Sequence, residues 1–123
     1  MKKKIVVTVG CRPDCIKMMP LVKALKKEEA FETILLSTGQ HKQMLQQVFD
    51  AFEEYPDYDL NIMKQNQNLF DITSSILEKI RKTMEDIKPD LVLVHGDTST
   101  AFVTALACYY LHIPVGHVEA GLR

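Results

Sequence analysis

Two acidic residues, Asp97 and Glu119, sit in runs that suit the display of a carboxylate. The runs are His95-Gly96-Asp97-Thr98-Ser99-Thr100 and His117-Val118-Glu119-Ala120-Gly121-Leu122-Arg123. Each follows an apolar, strand-like stretch and sets its acid beside small residues. Two carboxylates whose surroundings separate their pKa values can divide the work of general acid and general base. Asp97 has a plainer alternative as the cap of the next helix, where Asp is favoured. Glu119 has less of one, because an acid placed directly after Val115-Gly116-His117-Val118 is costly in an apolar core. His95 and His117 flank both acids. Each either orients a carboxylate or bonds to backbone near a strand end, and the second is the commoner arrangement.

A pair of cations lies at the other end of the chain. Arg12 falls in the turn Gly10-Cys11-Arg12-Pro13, and Lys17 follows in the helix that the turn begins. A helix start supplies free N–H groups and a partial positive charge. With two cations added, this becomes a cradle for a diphosphate. The plainer reading is a surface arginine and a solvated lysine. The turn is not a G-x-G-x-x-G fingerprint, since it lacks the second glycine and Pro13 removes a donor, so a nicotinamide dinucleotide is disfavoured. The hydroxyls after Asp97 do not form a nucleophile elbow. Cys11 and Cys15 have no further ligands near them in sequence, so no metal and no cofactor is expected. With Cys108 the thiol count is odd, which argues against a disulfide framework.

Positioning these groups requires alternating strands and helices. Lys4 to Val9 reads as a strand buried on both faces. Pro13 suits the first turn of a helix running to Lys27, with Ile16, Met19, Val22 and Leu25 as its apolar stripe and a kink or weakened turn at Pro20. Phe31 to Ser37 is a second strand. Thr38-Gly39-Gln40 turns into a helix carrying Met44, Leu45, Val48, Phe49 and Phe52. Glu53 to Asp59 reads as loop and Leu60 to Met63 as a short third strand. Asn68 caps the clearest amphipathic helix, whose stripe is Leu69, Ile72, Ile76, Leu77, Ile80, Met84 and Ile87. Leu91 to Val94 is a strand, Thr98 to Leu111 a helix, and Pro114 to Val118 a fifth strand.

This alternation implies an α/β fold, a Rossmann-like doubly wound parallel sheet with right-handed crossovers. In the usual order the first and fourth strands are neighbours where the winding reverses, and ligands bind there beyond the strand ends. That order brings Arg12, Asp97 and Glu119 to one crevice. Composition is ordinary for a globular domain: 123 residues, 46% hydrophobic, 25% charged and a net charge of -1. The charge gives no sign of a nucleic-acid partner. No run reaches membrane-spanning length, and Met1-Lys2-Lys3-Lys4 precedes too short an apolar run for a signal peptide, so a cytoplasmic location is expected.

Several runs together resemble one family. They are Gly10-Cys11-Arg12-Pro13-Asp14-Cys15-Ile16-Lys17, Gly39-Gln40-His41, Pro56-Asp57-Tyr58-Asp59-Leu60-Asn61-Ile62-Met63, Val94-His95-Gly96-Asp97-Thr98 and Pro114 through Arg123. In order and spacing they resemble the non-hydrolysing UDP-N-acetylglucosamine 2-epimerases. The resemblance implies a two-domain, glycosyltransferase-B-like architecture, of which residues 1–123 would be a truncated N-terminal domain lacking the uridine-nucleotide-binding domain. It implies interconversion of UDP-N-acetylglucosamine and UDP-N-acetylmannosamine by elimination and re-addition of UDP, for surface-polysaccharide synthesis. The substrate would be a UDP-sugar, the full-length form a homodimer, and this chain alone inactive.

By the same matching, Arg12, Lys17, Asp97 and Glu119 take catalytic roles, and Gly10, Arg12, Lys17 and His95 contact substrate. Gln40, His41 and Gln43 fall where bacterial members bind a second UDP-N-acetylglucosamine as activator. The family turn commonly reads Gly-Thr-Arg-Pro-Glu-Ala, so Cys11, Asp14 and Cys15 depart from it while Arg12 is kept. Asn66 stands where an activator-binding arginine is expected and cannot make that bidentate contact. Two other readings fit the residues: a non-catalytic half-domain that completes a split enzyme, and the N-terminal domain of another glycosyltransferase-B-like enzyme.

Overall fold

A computed structural model describes residues 2–39, 42–62, 68–96 and 98–118. The elements alternate: β1 (Lys3–Val9), α1 (Arg12–Lys26), β2 (Phe31–Ser37), α2 (Lys42–Phe52), β3 (Tyr58–Asp59), α3 (Leu69–Ile87), β4 (Leu91–His95), α4 (Ser99–Tyr110) and β5 (Val115–Val118). The sheet is parallel, in the order β3-β2-β1-β4-β5. β1 and β4 are therefore neighbours, as the doubly wound reading requires.

Alternation along β1 sends side chains to two separate cores. Val6 packs with Ile34, Leu36, Ile76, Ile80 and Val92 beneath α3 and α4. Val7 and Val9 pack with Met18, Met19, Val22, Leu45 and Phe49 beneath α1 and α2. A central strand buried on both faces can thus be apolar at its later positions, Thr8 excepted, without any periodicity.

The pairing of β1 with β4 runs from Ile5↔Leu91 to Val7↔Leu93 and stops there, although both strands continue. On the other side β1 stays paired with β2 as far as Val9↔Ser37. The sheet therefore parts at the carboxyl ends of β1 and β4. Such a parting at the point where winding reverses is where ligands of this architecture bind.

Four local expectations need correction or refinement. The third strand is Tyr58–Asp59 rather than Leu60 to Met63, so part of the expected loop is ladder. Its partner β2 ends at Ser37, and Asn61 turns to φ 53°, which breaks the extension; Met63 lies outside the described residues. Ile16 is exposed; the buried face of α1 is Cys15, Met18, Met19 and Val22. α1 continues past Pro20, which faces solvent and has no N–H for the Ile16 carbonyl, so the weakened turn lies inside one helix. Thr98 lies just outside α4, where its hydroxyl accepts from Ala101 N–H at 3.2 Å. Asn68 does cap α3, in a reciprocal box: its side chain accepts from Asp71 N–H, and the Asp71 carboxylate accepts from Asn68 N–H.

Candidate active site

The crevice has two lips: the turn from β1 into α1 and the turn from β4 into α4. Gly10 forms the first without space for a side chain. A Cβ there would lie 2.0 Å from Thr100 Oγ1 and 2.8 Å from Thr38 Oγ1. Those two hydroxyls are 3.3 Å apart and share a hydrogen bond. The end of β1 is thus clamped between the end of β2 and the first turn of α4. On the second lip, Gly96 adopts φ 69°, a left-handed conformation that glycine tolerates best.

The buried carboxylate of Asp14 organises the first lip. Only 2% of this residue is exposed. Its Oδ1 accepts from Cys11 N–H at 3.0 Å, and both its oxygens lie 3.3 Å from Gly10 N. Burial pushes the carboxyl above its ordinary range, against the pull of those hydrogen bonds and of the neighbouring His95 charge.

This narrows one expectation. Of the N–H groups around the start of α1, Asp14 engages those of Gly10 and Cys11, just before the helix, and Pro13 has none. The donors of Gly10 and Cys11 are thus committed within the protein, and the charged groups at this lip are side chains. Arg12 and Lys17 are both exposed there. Five positions along an α-helix amount to about 140° of rotation and about 7.5 Å of rise. The two cations consequently leave α1 in different directions and can share a ligand only through their reach.

The second lip treats its two histidines differently. The ring of His117, on β5, bonds to the Gly96 carbonyl. The Gly96 N–H in turn donates to the Val118 carbonyl at 3.2 Å. His95, at the end of β4, is half-buried on the α1 side, and its Nε2 is buried without a hydrogen-bond partner. Of the two alternatives for a strand-end histidine, His117 takes a backbone contact and His95 leaves a ring nitrogen uncommitted.

Asp97, Glu119, Gln40 and His41 lie outside the described residues, as does Asn66. Their neighbours Gly96, Val118 and Gly39 are described, and Gln43 is exposed on the first turn of α2. The structure therefore brings Gly10, Asp14 and His95 together, sets Arg12 and Lys17 on the same helix, and keeps Gln43 on a separate element. Asp14, Thr38 and Thr100 were not foreseen as part of this site. The spacing Cys11-x-x-Asp14 is that of a capping box, but cysteine at the cap hides it. Burial raises the thiol pKa of Cys11, takes that of Cys15 up to about 12 and that of Cys108 up to about 11, so none is an activated nucleophile. Among the described residues, no three His, Cys, Asp or Glu side chains gather as metal ligands.

The UDP-N-acetylglucosamine 2-epimerase family model matches residues 23–123. The chain belongs to this family. It is 56% identical over 124 aligned positions to the UDP-N-acetylglucosamine 2-epimerase of Bacillus subtilis, covering all of this chain and 33% of that one. A crystal structure of a UDP-N-acetylglucosamine 2-epimerase superposes with a TM-score of 0.93 at 54% identity, covering all of this chain and 35% of that one. The epimerase from Neisseria meningitidis, solved bound to UDP-GlcNAc, matches with a TM-score of 0.92 at 50% identity over 98% of this chain and 32% of its own. This epimerase-family chain thus spans about a third of the length of the curated relatives it matches. Among its described residues, no helix is long and apolar enough to cross a membrane.

Proposed function

We propose that a protein carrying this chain together with the remaining length of its relatives interconverts UDP-N-acetylglucosamine and UDP-N-acetylmannosamine. The observation that carries this reading is the 54% identity at a TM-score of 0.93 to a solved epimerase. Residues 1–123 then contribute one wall of a two-domain cleft and do not epimerise alone. Homodimerisation, a cytoplasmic location and a role in surface-polysaccharide synthesis belong to the same reading.

The chemistry follows from the groups available. A base removes the C2 proton, the anomeric C–O bond breaks, and its electron pair leaves with UDP; a glycal remains. A proton then returns to C2 on the opposite face while a diphosphate oxygen re-forms the bond at C1. Asp97 and Glu119 are assigned the acid and base roles, since two faces call for more than one group. Arg12 and Lys17 stabilise charge that grows on the diphosphate as the C–O bond breaks. Gly10 lets Thr38 and Thr100 close on the β1 end and so shapes the substrate lip, and His95 offers its uncommitted Nε2 to the sugar nucleotide. Gln40, His41 and Gln43 are assigned to an activator site, weakened by Asn66 at the position of an expected cation.

The test is proton exchange. The full-length protein in heavy water should incorporate deuterium at C2 of the sugar as UDP-N-acetylmannosamine forms. The 123-residue chain alone should give neither signal. Sugar transfer to an acceptor, or release of UDP without exchange at C2, would replace this reading with that of another glycosyltransferase-B-like enzyme.

A further inference from the structure

We propose that Asp14 is a positioning residue for Arg12: its buried carboxylate fixes the backbone of the turn from which the arginine reaches the diphosphate. The inference rests on the epimerase reading and adds to it a residue that touches no substrate. The turn is held from two directions. From above, the Thr38 and Thr100 hydroxyls close on the Cα of Gly10 and leave no space for a side chain. From within α1, Asp14 takes the N–H groups of Gly10 and Cys11. Cys11 is extended, at φ -137° and ψ 169°, and Arg12 follows as the first helical residue. Two successive peptides are thereby set before the arginine begins.

The arrangement has a specific consequence for anion binding. Asp14 occupies the two N–H groups that lead into α1, and it places a carboxylate at the positive end of that helix. It therefore weakens the helix start as an anion site while fixing the cation that takes over that task. A side chain kept only for the stability of the turn would not need to be linked to Arg12. A positioning residue must be. A misplacement of about 1 Å at a reacting centre can cost on the order of a hundredfold in rate.

The experiment is a double-mutant cycle in the full-length protein, using Asp14→Asn, Arg12→Ala and the pair, with kcat and KM measured for epimerisation. Asparagine keeps the shape and one acceptor. Thermal unfolding and circular dichroism establish that each variant is folded; if Asp14→Asn is not, Asp14→Ser, which keeps a small acceptor, takes its place in the cycle. Asp14→Asn should lower kcat/KM by roughly 10- to 100-fold in the wild-type background and by less than about threefold once Arg12 is alanine, because coupled residues are not additive. Equal losses in both backgrounds would overturn the inference and leave Asp14 a purely structural group. So would an unchanged kcat/KM in folded Asp14→Asn. Wild-type full-length protein that exchanges no C2 proton would overturn the epimerase reading instead, which keeps the two failures distinct.

Discussion

The two strand-to-helix turns of the crevice solve one problem in opposite ways. Each must satisfy backbone donors where a strand gives way to a helix. The β1–α1 turn uses a buried carboxylate, Asp14, which reaches back to Gly10 and Cys11. The β4–α4 turn uses a neutral hydroxyl, Thr98, bonded to Ala101 N–H. The first is therefore rigid and negatively biased, with its cations carried on side chains. The second is capped by that hydroxyl and tied to β5, through Gly96 and Val118. Adjacent turns of one sheet thus share a topology without sharing a means of capping their helices. A helix start cannot be assigned to phosphate binding until the fate of its N–H groups is known.

Substitutions can break this contrast, and the largest effect is expected at Asp14. Asp14→Ala leaves one buried and one half-buried donor without an acceptor and should cost about 3 kcal/mol in urea unfolding. A loss as small as that at Thr98 would erase the distinction between the turns. Next comes Gly10→Ala, whose methyl would meet the hydroxyls of Thr38 and Thr100. It should cost about 2 kcal/mol, and Thr100→Ala in the same chain should recover part of that loss, because it removes the 2.0 Å contact but leaves Thr100 Cβ and Thr38 Oγ1 each 2.8 Å away. Failure of the rescue would place the strain in the backbone rather than in the clamp. Thr98→Ala should cost about 1 kcal/mol, the ordinary value of a cap.

The subtlest expectation concerns pH. The folded state raises the Asp14 pKa above its usual 3.8, chiefly by burial. The folded chain then binds a proton that the unfolded chain has released. This contribution to stability is fully present below 3.8 and is lost as pH rises through the raised value. Asp14→Asn should flatten the stability–pH curve over that window, whereas Thr98→Ala should shift it without changing its slope. A slope unaltered by Asp14→Asn would assign the titration to another group.

Most of the architecture could be read from the chain because its signals are local. Val6 and Val7 point to opposite cores, so β1 shows as a plain apolar run, and Asn68 with Asp71 announces the start of α3 at capping-box spacing. The misreadings have a different origin. Tyr58–Asp59 is a strand because β2 lies beside it, a fact that its own polar sequence does not contain. Ile16 follows helical periodicity but falls on the open side of α1, because packing chose Cys15 and Met18. Arg12 and Lys17 were recognisable as cations, but the acid beneath them was not. Asp14 looks like a surface residue until its carboxylate is seen to fold back onto the N–H groups of Gly10 and Cys11.

The Gly96–Val118 hydrogen bond also bears on motion. It joins the residue before position 97 to the residue before position 119, with 3.2 Å between donor and acceptor. The His117 ring closes a second link to Gly96. The points from which the two candidate acids depart are thus leashed to each other, not merely to their own strands. If the β4 turn swings, the end of β5 swings with it. Two fastenings, not one, would have to part before the turn and the strand end could move independently.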